Sequence, residues 1–204
     1  MQESTNSSKL GDILQKNGGY ITRRQIDQNG IKSWFLTDFV RKENLEKLAA
    51  GFYAKPDWIT DDFLVFQYKY PKFIFSYESA LYLLNLTDSL PQTFEVTGPK
   101  NYRPFSPKEN IAIIHTDYKK ETYELGIAEV ETNLGNKVLA YNAEKTLCDL
   151  IRRSEKIDSE IYTKALYNYS KLKNKNHNRL IEYAKTMGIQ KKVYDTMMVV
   201  LNEL

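Results

Sequence analysis

Two glycine steps, Asn17-Gly18-Gly19 and Asn29-Gly30, cut the N-terminal segment into three short amphipathic runs. Each step is a helix-stop signal, so no long helix can pass through either one. Residues 1–8 are polar and small and are expected to fray. Helical spacing then begins at Leu10, Ile13 and Leu14. Tyr20-Ile21 leads into Thr22, whose hydroxyl is placed to cap the amide of Gln25, with Ile26 as the inward residue of a short second helix. In the third run Ile31, Phe35, Leu36, Phe39 and Val40 form an apolar stripe. Lys32, Ser33, Thr37, Asp38, Arg41 and Lys42 occupy the opposite face. Asn44 ends that helix, and "LEKLAAGFYAKP" reads as a hairpin: Leu45 to Leu48, a turn at Ala49-Ala50-Gly51, then Phe52 to Ala54. Three short helices followed by a small hairpin is the winged helix-turn-helix order, which places a first domain at residues 1–57.

After Pro56-Asp57 the composition changes, and residues 58–204 read as an α+β domain with a small sheet and a helical C-terminal part. Helices are expected at 61–70 and 76–86, the second capped by Ser76. Strands are expected at 93–98, 110–116, 123–132 and 137–142, with Leu134-Gly135-Asn136 as a hairpin connection. Further helices are expected at 143–153, 158–172, 177–187 and 189–203.

Composition narrows the function classes. A net charge of +3 does not by itself argue for nucleic acid, and residues 1–57 hold nine Lys/Arg against seven Asp/Glu. A single cysteine, Cys148, excludes an intramolecular disulfide and fits a reducing compartment. With no apolar run of bilayer length and no signal-like N-terminus, a cytoplasmic location and no membrane partner are expected.

For DNA contact, the second helix of a helix-turn-helix enters the major groove and reads bases from its N-terminal residues. Lys32, Ser33 and Thr37 occupy that start. Trp34 beside them reads equally as a thymine contact or as a core residue. Arg23 and Arg24 suit phosphates, and Arg41, Lys42 and Lys47 would add backbone contacts from the helix end and the wing. The plainer alternative is a protein-interaction module with solvated basic faces. A second basic set, Lys171, Lys173, Lys175, Arg179, Lys185, Lys191 and Lys192, would extend a DNA footprint, meet an acidic partner, or serve only as solvated surface.

Enzymatic signals are sparse. His115 and His177 lack companions at metal-ligand spacing, so no metal or cofactor is expected. "HTD" at 115–117 reads as a strand end and turn. "TGPKN" at 97–101 reads as a turn with a passing likeness to a phosphate loop. Cys148 falls on a helix side expected to be buried, as an inert thiol. There is no nucleophile elbow, P-loop or dinucleotide fingerprint, so an enzyme is not expected.

"GGYITRRQIDQNGIKSWFLTDFVRKENLEKLAAGFYAKPD" resembles the N-terminal winged helix of the AbiEi antitoxins of type IV toxin–antitoxin systems, with Gly51-Phe52-Tyr53 as the signature closing the wing. The likeness continues in "FSYESALYLLNL" (75–86), "FEVTGPKNY" (94–102) and "EKTLCDLIRR" (144–153). Where many members carry glycine this chain has Asn44, which tolerates left-handed backbone. Where arginine is common before the wing glycine it has Ala50, which removes one wing phosphate contact. The resemblance implies a transcriptional autorepressor that binds inverted repeats in double-stranded DNA at its own operon promoter. It also implies an antitoxin that counteracts a nucleotidyltransferase-like toxin without a stable complex, in phage defence by abortive infection. The alternative is a module that neutralises a toxin by binding it directly.

Overall fold

Thr22 stands in extended backbone and closes a reciprocal capping box. Its Oγ1 accepts from the Gln25 amide at 3.4 Å, and Gln25 Oε1 accepts from the Thr22 amide at 2.9 Å. The computed structural model describes residues 2–104, 111–117 and 119–202 as a mixed α+β chain of two units, divided between Lys69 and Tyr70.

The first unit runs α1 (Gln2–Lys16), β1 (Tyr20–Thr22), α2 (Arg23–Gln28), α3 (Ser33–Lys42), β2 (Glu46–Ala49), β3 (Phe52–Ala54) and α4 (Asp62–Lys69). Helix α1 starts at Gln2 rather than after the segment expected to fray. Once Leu10 and Leu14 are buried, extending the helix backward adds a hydrogen bond per residue without a new nucleus. Gly18, Gly30 and Asn44 all take left-handed backbone, at φ 71°, 66° and 50°, as the helix stops require. Strand β1, too short to be read from sequence, pairs antiparallel with β3, which pairs with β2, giving the order β1-β3-β2. Leu10, Leu14, Ile21, Ile26, Leu36 and Phe39 meet in the core beneath it.

Helix α4 belongs with this unit, so the first unit extends to Lys69 where a boundary at 57 was expected. Tyr68 supplies the reason: its hydroxyl donates to the Gly51 carbonyl at 2.8 Å, and its ring stands edge-on to Phe52. Tyr20 and Trp58 complete that aromatic cluster around the fully buried Phe52.

The second unit contains β4 (Ile74–Phe75), α5 (Tyr77–Leu83), β5 (Phe94–Pro99), β6 (Ala112–Asp117), α6 (Lys120–Glu124), β7 (Ile127–Glu131), β8 (Lys137–Tyr141), α7 (Ala143–Arg152), a 3-10 turn (Ser154–Lys156), α8 (Ser159–Lys171), α9 (His177–Thr186) and α10 (Gln190–Asn202). Its five strands lie in the order β6-β5-β4-β8-β7, with β4–β8 and β5–β6 parallel. The start of the strand expected at 110–116 and the end of the helix expected at 189–203 fall outside the described residues. Helix α6 replaces the start of the strand expected at 123–132, because Gly126, at φ 73°, separates it from β7. Ser76 precedes α5 without capping it through its side chain; its Oγ instead accepts from Thr97 Oγ1 at 3.0 Å. Glu95 takes over, its Oε2 accepting from the Glu78 amide at 2.9 Å.

Helix α7 is buried at every position from Glu144 to Ile151, so its charged residues must be paired inside the fold. Lys145 Nζ lies 2.6 Å from Asp149 Oδ2, and Arg152 reaches Asp149 Oδ1 at 2.9 Å. Glu144 accepts from the Asn176 amide at 2.9 Å. The charges of "EKTLCDLIRR" are thus joints of the fold.

Candidate nucleic-acid interface

Helix α3 buries Leu36 and Phe39 and leaves Ser33, Thr37 and Arg41 exposed in a row four residues apart, along one flank. Lys32 precedes the helix in extended backbone, and no side chain caps this end. Its leading amides therefore offer partial positive charge to an anion beside the Lys32 ammonium. Arg41 lies 3.4 Å from Asp38, an exposed pair that is readily exchanged for another anion.

Trp34 falls outside that row. It is 49% exposed, hence not a core residue, and stacks on Phe35. Together with Asp38, Lys42, and Ser7 and Leu10 of α1, it borders a crevice of about 110 Å³. Lys42 and Trp34 therefore face the α1 side of the helix, while Ser33 and Thr37 face away.

Arg23 and Arg24 open α2, both exposed. The Arg23 amide donates to the Gly51 carbonyl at 2.7 Å, which ties the start of α2 to the β2–β3 turn. The chain passes so close there that a Cβ on Gly51 would lie 2.8 Å from Arg23 Cβ and 2.9 Å from the Tyr68 hydroxyl. Gly51 also has φ 77°, so the glycine of "GFY" is required on two counts. Arg23 Nε sits 3.3 Å from Asp27, and the Arg24 guanidinium lies over the Tyr68 ring at 5.4 Å. Lys47 is exposed on β2, opposite Tyr53 of β3.

The second basic set is spread over the end of α8, the following loop, α9 and α10. Lys171 lies over the Tyr167 ring at 5.1 Å, Lys175 donates to the Leu172 carbonyl at 3.1 Å, and Lys192 donates to the Arg152 carbonyl at 3.5 Å. Arg179 reaches Glu144 Oε2 at 3.5 Å. Lys173, Lys185 and Lys191 are exposed.

Sequence reasoning missed how His115 is held. Its Nδ1 lies 2.6 Å from an Arg153 nitrogen, and its Nε2 lies 3.0 Å from Glu95 Oε1. Arginine only donates, so Nδ1 accepts and the proton sits on Nε2, which donates to Glu95. Asp117 accepts from Thr122 Oγ1. "HTD" is therefore tied into the edge of the sheet. Thr97-Gly98-Pro99 of the loop lookalike lie within β5, where Gly98 leaves room for the Phe73 ring. Cys148 is fully buried, and burial together with the Asp149 carboxylate pushes its thiol up to about 12. Among the described residues no acidic, histidine or cysteine cluster could hold a metal ion, and no helix is long and apolar enough to cross a membrane.

Comparisons of the sequence with protein-family models and with curated proteins give no match. The structure is similar to the crystal structure of the RV2827C protein from Mycobacterium tuberculosis. That likeness has a TM-score of 0.54 at 14% identity, covers 86% of this chain and 69% of that one, and concerns the fold alone.

Proposed function

We propose that the first unit is a winged helix-turn-helix that binds double-stranded DNA, with α3 as its reading helix and the β2–β3 hairpin as its wing. The observation that carries this reading is the exposed row Ser33–Thr37–Arg41, which begins beside Lys32 at an uncapped helix end. The bond from the Arg23 amide to Gly51 supports it, because it holds the phosphate-facing start of α2 against the hairpin turn. Joined with the resemblance to AbiEi antitoxins, this makes the chain a non-catalytic, cytoplasmic transcriptional autorepressor of its own operon. Its second role is as antitoxin to a nucleotidyltransferase-like toxin in abortive infection, without a stable complex.

Mobility shifts on the DNA upstream of the gene, run over a salt series, test this reading. Arg23→Ala and Arg41→Ala should each weaken binding and lower the salt slope by about one. Unchanged affinity and slope in both variants would remove this surface from the DNA contact. A toxin complex that survives nuclease and high salt would favour direct neutralisation instead.

A further inference from the structure

Helices α9 and α10 leave an open apolar groove of about 340 Å³ in the second unit, on which the DNA-binding reading makes no demand. Its floor is Leu180, Val193 and Met197, all buried. Its walls are Ile181, Tyr194 and Met198, exposed to 57%, 64% and 42%. Exposed apolar side chains clustered at helical spacing on two adjacent helices present the ridges and furrow that accept a third helix. Methionine walls adapt to varied apolar faces at little cost.

The surrounding charge selects the occupant. From His177 to Asn202, helices α9 and α10 and the turn between them hold four basic side chains, Arg179, Lys185, Lys191 and Lys192, against two acidic ones, Glu182 and Asp195. Lys185, Lys191 and Lys192 lie on the same two helices as the groove walls and are exposed. A second copy of this face would bring one positive surface against another, which like-charge repulsion opposes. A small ligand needs several converging polar groups to orient it, and the lining offers His177, Gln190 and the Tyr194 hydroxyl on an otherwise apolar surface. We infer that this groove docks an amphipathic helix of a partner protein, apolar along one side and acidic on its flanks.

The test is fluorescence anisotropy of the full chain with a labelled helical peptide of about sixteen residues, carrying leucine at helical spacing and glutamate on its flanks. Binding is expected in the micromolar range, weakened at least about tenfold by Ile181→Asp or Tyr194→Asp. Both side chains are more than half exposed, so the variants should keep the wild-type circular dichroism and DNA affinity. The paired change Lys185→Glu with Lys191→Glu should weaken binding and flatten its salt dependence. Four results would overturn the inference: no binding of this peptide, equal binding of a peptide with lysine flanks, self-association of the chain abolished by Tyr194→Asp, or preferential capture by phosphatidylglycerol vesicles.

Discussion

The amide of Arg23 meets the carbonyl of Gly51 at 2.7 Å, so the first residue of α2 and the tip of the hairpin form one joint. Gly51→Ala would force a left-handed alanine and set its Cβ 2.8 Å from Arg23 Cβ. The expected cost is about 2 kcal/mol or more, from backbone strain and displacement of the joint. Urea unfolding measures it. A wild-type midpoint with wild-type DNA affinity would show that the joint is dispensable.

Lys32 and Thr37 should differ from Lys47 in what they contribute on DNA. Lys32→Ala or Thr37→Ala is expected to cost about 1–3 kcal/mol on the preferred sequence and much less on random DNA. Lys47→Ala should weaken both about equally. Competition binding with specific and random duplexes separates the two patterns; identical behaviour of all three would count against α3 as the reading helix.

The pair Lys145–Asp149 is sealed in α7, and Arg152 gives Asp149 a second partner. Asp149→Asn leaves a buried ammonium without its counter-charge and should cost about 3–5 kcal/mol. Lys145→Met should cost less, because Asp149 keeps Arg152 at 2.9 Å. Equal losses in chemical denaturation would contradict this order.

Burial raises the Cys148 thiol from 9.0 to about 12, and it raises the Tyr77 hydroxyl from 10.0 to about 12. In both cases the folded state holds a proton that the unfolded chain releases sooner. The corresponding stability is therefore complete below 9.0 and is lost as pH climbs toward about 12. Denaturation midpoints across the alkaline range should fall accordingly. A thiol reagent at about pH 8 should label Cys148 only as fast as the fold opens; rapid labelling of the native chain would refute its inertness.

The sequence made the order of the first three helices and the following hairpin legible because its punctuation is local. Thr22 caps within three residues, and Gly30 and Asn44 take left-handed backbone whatever lies far away. The stripe of α3 likewise indicated that Lys32, Ser33, Thr37 and Arg41 face outward, but it left Trp34 open between core and surface. Long-range partners were not legible. Strand β1 exists through its pairing with β3, α4 joins the first unit through Tyr68, and His115 is held by an arginine from α7's far end. The burial of Glu144, Lys145 and Asp149 was not legible either, because α7 is enclosed by elements distant in the chain. The α9–α10 groove was invisible because its walls come from two helices whose exposed faces each look ordinary alone.

Strand β4 is two residues long and sits in the middle of five strands, joining β5 on one flank to β8 on the other. The β7–β8 hairpin closes locally through the turn at Gly135, on a microsecond scale. The second flank of β4 meets its neighbour only where Phe75 comes into register with Ala140. During synthesis, then, this sheet cannot be assembled in the order its strands are made. Its centre is joined across only after the ribosome has passed Ala140, and β5 and β6 have already been synthesised by that point.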